Sequence, residues 1–140
     1  MGFQEAVRKC LRDWKTVAGR APRSEYWWFT LFNIIASIVA YVLLGVLAAV
    51  LGGSGVGQII LIILSIAIFI FLIFLMVAGI SAIVRRLHDK DKSGWFYWIA
   101  LIPIVGTIIL LVWFCTRGTV GPNTYGDDPL GGDGTAQVFE

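Results

Sequence analysis

The chain has 140 residues, of which 58% are hydrophobic and 14% charged, whereas soluble domains carry about 25% charged residues. This composition leaves too few polar side chains to cover a water-exposed surface, so it excludes an ordinary soluble domain and favours a membrane protein. The net charge of +2 hides an asymmetry: ten of the eleven Lys and Arg residues precede position 93, and four of the nine acids lie in the last fourteen residues.

The N-terminal segment is predicted to form an amphipathic helix over residues 3–18. Its apolar residues recur at helical spacing, and cations occupy the remaining faces at Arg8, Lys9, Arg12 and Lys15. Such a helix lies at a membrane interface with its apolar side down and its cations toward anionic headgroups. Packing on the ends of membrane-spanning helices would produce the same pattern, and the two interpretations are compatible.

Three long stretches contain no Asp, Glu, Lys or Arg: residues 26–51, 58–84 and 95–115. Each exceeds the roughly 20 apolar residues that a helix needs to cross the hydrocarbon core. Backbone groups in lipid must be hydrogen-bonded internally, so these stretches are predicted to be helices. The expected fold is an all-α membrane protein with three transmembrane helices preceded by an amphipathic interfacial helix. The uncharged link "GGSGVG" predicts a tight antiparallel hairpin of the first two spans.

The distribution of positive charge predicts the orientation. Six Lys and Arg residues precede the first span and four lie in the link between the second and third. Since such residues are retained on the cytoplasmic side, the N-terminus is expected in the cytoplasm and the C-terminus in the periplasm. An alternative is that "LIPIVG" at 101–106 turns the third stretch back as a re-entrant hairpin, which would return the tail to the N-terminal side.

The link "RRLHDKDKSGW" at 85–95 contains His88, the only histidine of the chain. Three interpretations stay open: a structural cap and topology signal, a site for an anionic headgroup or partner, or a catalytic site. A metal site needs three or four ligands, and nucleophilic catalysis needs a Ser or Cys held against the histidine. Neither pattern is present, and Cys10 and Cys115 lack a C-x-x-C partner. No cofactor, metal or catalytic residue is therefore expected.

An antiparallel hairpin of the first two spans would bring their charged ends to one interface. Glu25 is therefore predicted to pair with Arg85 or Arg86. By the same argument Asp89 is predicted to pair with one of the N-terminal arginines, Arg20 or Arg23.

Three motifs together, "GRAPRSEYWWF" at 19–29, "RRLHDKDKSGW" at 85–95 and "GTVGPNTYGDDPLG" at 118–131, resemble the signatures of the DUF805 family of small bacterial inner-membrane proteins. The resemblance covers residues 1–131 as a single membrane domain, with 132–140 expected to be a disordered tail. It implies the bacterial cytoplasmic membrane and no assigned activity. It also suggests that one group of residues matters together at the cytoplasmic face, as candidates for lipid or partner binding: Arg20, Arg23, Glu25, Arg85, Arg86, His88 and Asp89.

Three functions compete at this point. The leading interpretation is a non-enzymatic accessory or scaffold subunit that binds anionic phospholipids or a larger membrane complex, alone or as a homo-oligomer. The alternatives are an oligomeric channel or transporter subunit and a membrane enzyme acting on lipid phosphates. Nucleic-acid binding is not expected, because no nucleic-acid-binding motif accompanies the basic residues.

Overall fold

The computed structural model describes residues 1–131, and the predicted disordered tail at 132–140 lies outside them. The helices are α1 (Phe3–Arg12), α2 (Arg23–Leu51), α3 (Gly55–His88) and α4 (Val105–Cys115), with a 3-10 helix at Gly94–Leu101 between α3 and α4. The expectation of an all-helical chain is met within the described residues, where the one β-type contact is an isolated bridge between Asn123 and Gly126.

Helices α2 and α3 form the predicted antiparallel hairpin. Their 29 and 34 residues correspond to about 43 Å and 51 Å of helix, more than the roughly 30 Å of hydrocarbon in a bilayer. Both are long and apolar enough to cross a membrane. The turn between them is closed by Ser54, whose side-chain oxygen accepts a hydrogen bond from the backbone N–H of Gly57 at 3.0 Å.

Helix α1 ends at Arg12, six residues before the predicted end at residue 18. Just past this end the chain turns, and a hydroxyl group of α3 binds carbonyl groups of the turn. The Ser81 hydroxyl lies 2.5 Å from the carbonyl oxygen of Thr16 and 3.3 Å from that of Asp13. Upstream of this turn, Cys10 packs against Phe29 of α2 and the small residues of α3. The helix is therefore fastened to the hairpin along its apolar side.

The segment expected to form a third span is two short helices rather than one long one. The 3-10 helix has eight residues and α4 has eleven, so each is about 16 Å long. Between them the chain makes a γ-type turn at Ile104, whose φ and ψ are 65° and −64°, closed by a 2.7 Å hydrogen bond from Val105 N–H to the Pro103 carbonyl. Gly106 permits this fold, since a Cβ there would lie 1.7 Å from the Ile99 carbonyl oxygen.

Both ends of this segment lie at the same end of the α2–α3 hairpin. The Phe96 and Trp113 rings are 5.9 Å apart, and Lys92 lies 4.7 Å from the centre of the Trp113 ring. The Lys90 ammonium donates to the Arg117 carbonyl at 2.7 Å. The structure thus differs from the expected third crossing and has the geometry of the re-entrant alternative. Residues 116–131 lie on the side of the N-terminal segment, not on the opposite side as expected.

Candidate functional site

The seven residues singled out in the sequence lie together at the charged end of the hairpin, which we call the cap. The N-terminal segment, the ends of α2, α3 and α4 and the tail 116–131 all meet there. Six of the seven side chains are buried, and Arg23 alone among them is exposed. The cap consists of Arg20, Arg23, Glu25, Arg85, Arg86, His88 and Asp89.

Glu25 is the centre of one half of the cap. Its carboxylate is fully buried and accepts hydrogen bonds from Arg85 at 2.5 Å and from Lys9 at 2.7 Å. The predicted pairing of Glu25 with one of the two α3 arginines is therefore confirmed, with Arg85 as the partner. The Cys10 thiol lies 3.7 Å from this carboxylate. Burial, reinforced by the negative charge of Glu25, raises the pKa of Cys10 to about 12, so this thiol stays protonated.

Asp89 is the centre of the other half. Its two carboxylate oxygens accept from Arg20, at 3.0 Å, and from Arg86. The predicted pairing with an N-terminal arginine is confirmed, and that arginine is Arg20. Burial raises the pKa of Asp89 above its usual value, and the two guanidinium groups oppose that shift. Both carboxylates of the cap thus bridge two cations from different parts of the chain.

The arginines of the cap also bind backbone carbonyl groups at the end of α4. Arg86 donates to the carbonyl oxygens of Trp113 and Phe114, each at 3.2 Å, and to that of Thr116. Arg23 donates to the Cys115 carbonyl at 3.1 Å. The last carbonyl groups of any α-helix lack partners within the helix. The two guanidinium groups supply hydrogen-bond partners for these carbonyl groups, and they hold the end of α4 against α2 and α3.

Arg20 holds the tail in the same way. It donates to the carbonyl oxygens of Thr119 at 2.5 Å, Gly121 at 2.7 Å and Gly126 at 3.2 Å. Gly118 comes so close to Asp89 that a Cβ would lie 2.1 Å from its carboxylate. A loop of carbonyl groups therefore wraps one guanidinium, which leaves Arg20 little capacity for any other anion.

Two tail residues complete the cap around His88. The Asn123 side-chain amide donates to the His88 carbonyl at 2.9 Å, and the Tyr125 ring stacks on the imidazole at 3.8 Å with an interplanar angle of 6°. Asn123 and Tyr125 were not predicted to lie in the site, because the expected third crossing put them on the other side of the membrane. Their presence in one of the three motifs was the available signal. In the described chain, no group of three His, Cys, Asp or Glu side chains is placed to hold a metal ion.

The buried charges of the cap are directed at one another and at the backbone. Arg20, Arg85 and Arg86 each bind a buried carboxylate, so they act as ties between segments rather than as an open anion site. Exposed cations cluster on and just after α1, at Arg8, Arg12 and Lys15, and Arg23 and Arg117 are exposed as well. Arg12 forms an exposed ion pair with Asp13.

The sequence is similar to a described family and to named inner membrane proteins. The family described as "Protein of unknown function (DUF805)" matches residues 14–127. The chain is similar to the inner membrane protein YhaI of Escherichia coli (strain K12), with 38% identity over 119 residues that cover 85% of this chain and 90% of YhaI. It is similar to the inner membrane protein YhaH of the same strain, with 39% identity over 121 residues that cover 86% and 93% of the two chains. No solved structure matches the chain significantly.

Proposed function

The chain belongs to the DUF805 family, and from this premise we propose that it is a non-enzymatic protein of the bacterial inner membrane. In this proposal it binds anionic phospholipid at its charged end and serves as an accessory or scaffold subunit. Two observations support the location: two helices are long and apolar enough to cross a bilayer, and the relatives YhaI and YhaH carry the name of inner membrane proteins.

The observation that carries the proposal is the division of the cations into two groups. The buried arginines bind carboxylates and carbonyl groups of the chain itself, as a structural lock. The exposed cations of the N-terminal segment face water and, at a membrane surface, they face lipid headgroups. Each Lys or Arg near an anionic surface contributes about 1 kcal/mol of attraction. The exposed cations of the N-terminal segment, next to the cap, are therefore the group that can recognise a lipid phosphate.

The position of α1 supports an interfacial role for these cations. Phe3 packs edge-on against Trp28 of α2 with ring centres 5.8 Å apart, and Trp28 is itself exposed on the hairpin. Tryptophan side chains favour the boundary between headgroups and hydrocarbon. A helix held at the level of Trp28 presents Arg8 and Arg12 where lipid phosphates lie. By the positive-inside rule this face, with residues 1–22 and 116–131, is cytoplasmic in our proposal.

A non-enzymatic role is favoured by the state of the two residues that an enzyme would use. Asp89 is 3% exposed and engaged by two arginines. The Nδ1 atom of His88 is hydrogen-bonded to the Gly19 carbonyl, and the imidazole ring stacks on Tyr125. In this arrangement His88 and Asp89 hold segments of the chain in place. A substrate would have to displace the tail to reach Asp89.

The test compares lipids that differ in charge alone. The full chain, purified in mild detergent, is titrated with phosphatidylglycerol or phosphatidylcholine of identical acyl chains, and bound lipid is measured by native mass spectrometry. We expect tighter binding of phosphatidylglycerol, by at least about tenfold, since two or three cations act together. Replacing Arg8, Arg12 and Lys15 by Gln should remove most of this preference.

The matched control replaces Arg8 and Arg12 by Lys, which keeps the charge at the same positions and should keep the preference. Raising the salt concentration should weaken the binding of phosphatidylglycerol and leave that of phosphatidylcholine unchanged. Equal affinity of the unmodified protein for the two lipids would refute the proposal.

A further inference from the structure

A groove runs along the outer side of the cap between the last turns of α3 and the 3-10 helix. Its volume is about 480 Å³, within the range of small-molecule sites. The walls are apolar, formed by Ile80 and Val84 of α3 and by Trp95 and Trp98 of the 3-10 helix. Trp95 and Trp98 are 78% and 58% exposed, so the groove opens sideways to whatever surrounds the protein. In a membrane protein, the surroundings of such a surface are lipid.

The polar end of the groove is formed by His88 and Ser93. The Nδ1 atom of His88 lies 3.2 Å from the Gly19 carbonyl oxygen. A carbonyl oxygen only accepts hydrogen bonds, so Nδ1 carries the proton and Nε2 of the neutral ring is an acceptor. Among residues 1–131 Nε2 has no hydrogen-bond partner, although His88 is only 9% exposed. Nε2 is not sealed in the protein interior, and His88 lines the groove, so a donor group of an occupant can bind this acceptor.

The Ser93 hydroxyl complements this acceptor. Its oxygen accepts from the Trp95 backbone N–H at 3.4 Å, which leaves the hydroxyl hydrogen available to donate. The end of the groove therefore offers one acceptor and one donor, the pattern that matches an alcohol.

The net charge of the neighbouring side chains indicates which charge a hydroxyl-bearing lipid should have. Four cations, Lys9, Arg20, Arg85 and Arg86, are paired with the two carboxylates of Glu25 and Asp89. The cap itself has four arginines and two carboxylates, a surplus of two positive charges, and its member His88 lines the groove. A positive surplus favours an anion over an ammonium group.

We propose that this groove binds an anionic phospholipid whose headgroup bears a hydroxyl group. One acyl chain lies between α3 and the two tryptophans, and the headgroup hydroxyl donates to Nε2 of His88. This inference deepens the proposed function, because it names the headgroup chemistry of the anionic lipid, but it uses a different surface from the α1 cations.

The experiment compares phosphatidylglycerol with phosphatidylethanol of the same acyl chains. The two lipids carry the same charge, and only the first has headgroup hydroxyls. Binding to the full chain in detergent is measured by native mass spectrometry with both lipids in competition. We expect phosphatidylglycerol to bind about fivefold more tightly, the ratio that one net hydrogen bond of about 1 kcal/mol produces.

Two substitutions at His88 separate the acceptor from the structural role of the ring. His88→Asn retains a donor near the position of Nδ1 and lacks any atom at Nε2, so the ratio should fall to about one. His88→Gln places an amide oxygen near the position of Nε2 and should retain part of the ratio. Both variants lose the stacking of the imidazole ring on Tyr125. A difference between them therefore reports on the atom near the Nε2 position and not on the stacking. Ile80→Trp fills the groove and should weaken both lipids, whereas Gln58→Asn at the far end of the hairpin should change neither.

The results that would overturn the hydroxyl site differ from those that would overturn the proposed function. Equal affinity for phosphatidylglycerol and phosphatidylethanol, with both bound more tightly than phosphatidylcholine, would overturn the hydroxyl site and leave anionic lipid binding intact. A ratio that survives His88→Asn would also overturn it, because the hydroxyl would then be recognised elsewhere. A ratio lost in His88→Asn and partly kept in His88→Gln would support it.

Discussion

Replacing Glu25 by Gln should destabilise the protein more than any single change on the outer surface of the cap. The Glu25 carboxylate is fully buried and, within residues 1–131, is the one carboxylate bound to Arg85, whose side chain is 3% exposed. Removing the negative charge leaves a buried guanidinium with no compensating anion. Breaking a buried pair in this way costs about 3–5 kcal/mol. Lys9, also bound to Glu25, can turn toward water because its side chain is 29% exposed, so it adds little to that figure.

The free energy of unfolding can be measured in mixed micelles by SDS titration followed through tryptophan fluorescence. We expect a loss of about 3 kcal/mol for Glu25→Gln and of no more than about 1 kcal/mol for Lys9→Gln, the value typical of an exposed pair. The double variant Glu25→Gln/Arg85→Gln should recover most of the loss, since it leaves two neutral amides and no unpaired charge. A loss below about 1 kcal/mol for Glu25→Gln, or strictly additive losses in the double variant, would refute the reasoning.

The two cysteines should differ in reactivity, because burial raises the pKa of Cys10 to about 12 and the thiolate is the reactive species. Maleimide should modify Cys115, which is exposed, in the folded protein and Cys10 only after denaturation; equal modification of both in the folded state, read by mass spectrometry, would contradict this. The substitution Arg20→Gln removes three hydrogen bonds to tail carbonyl groups and should accelerate tryptic cleavage after Arg117 severalfold. Arg8→Gln serves as the matched control, and an unchanged cleavage rate in Arg20→Gln would show that Arg20 does not hold the tail.

The sequence predicted the two ion pairs of the cap because they follow from topology alone. Once spans one and two form an antiparallel hairpin, Glu25 and Arg85 must lie at one interface, and a buried carboxylate there needs a cation. Asp89 and Arg20 follow by the same argument. The choice of Arg85 over Arg86 for Glu25 depends on the rotation of α3 about its axis. Hydropathy does not carry that information in a helix that is apolar on all sides.

The fold of residues 95–115 was predicted only as the alternative to a third crossing, because a count of apolar residues contains no information on where the chain reverses its direction. The reversal depends on a γ-type turn at Ile104, next to Pro103, which has no N–H to donate, and on the close approach that Gly106 permits. The roles of Asn123 and Tyr125 were missed for the same reason, since an assumed crossing separated them from His88. The shared motif was informative, but the assumed topology outweighed it.

The side of the membrane on which the tail lies is the most direct test, because Arg20, Arg86 and His88 can bind the tail only if residues 116–131 return to the N-terminal side. Single cysteines at Ser54, Lys90 and Thr124, in a background with Cys115 replaced by Ala, can be labelled with a membrane-impermeant maleimide in intact cells and again after permeabilisation. We expect labelling of Ser54→Cys alone in intact cells and of all three cysteines after permeabilisation. Labelling of Thr124→Cys in intact cells while Lys90→Cys stays protected would contradict it.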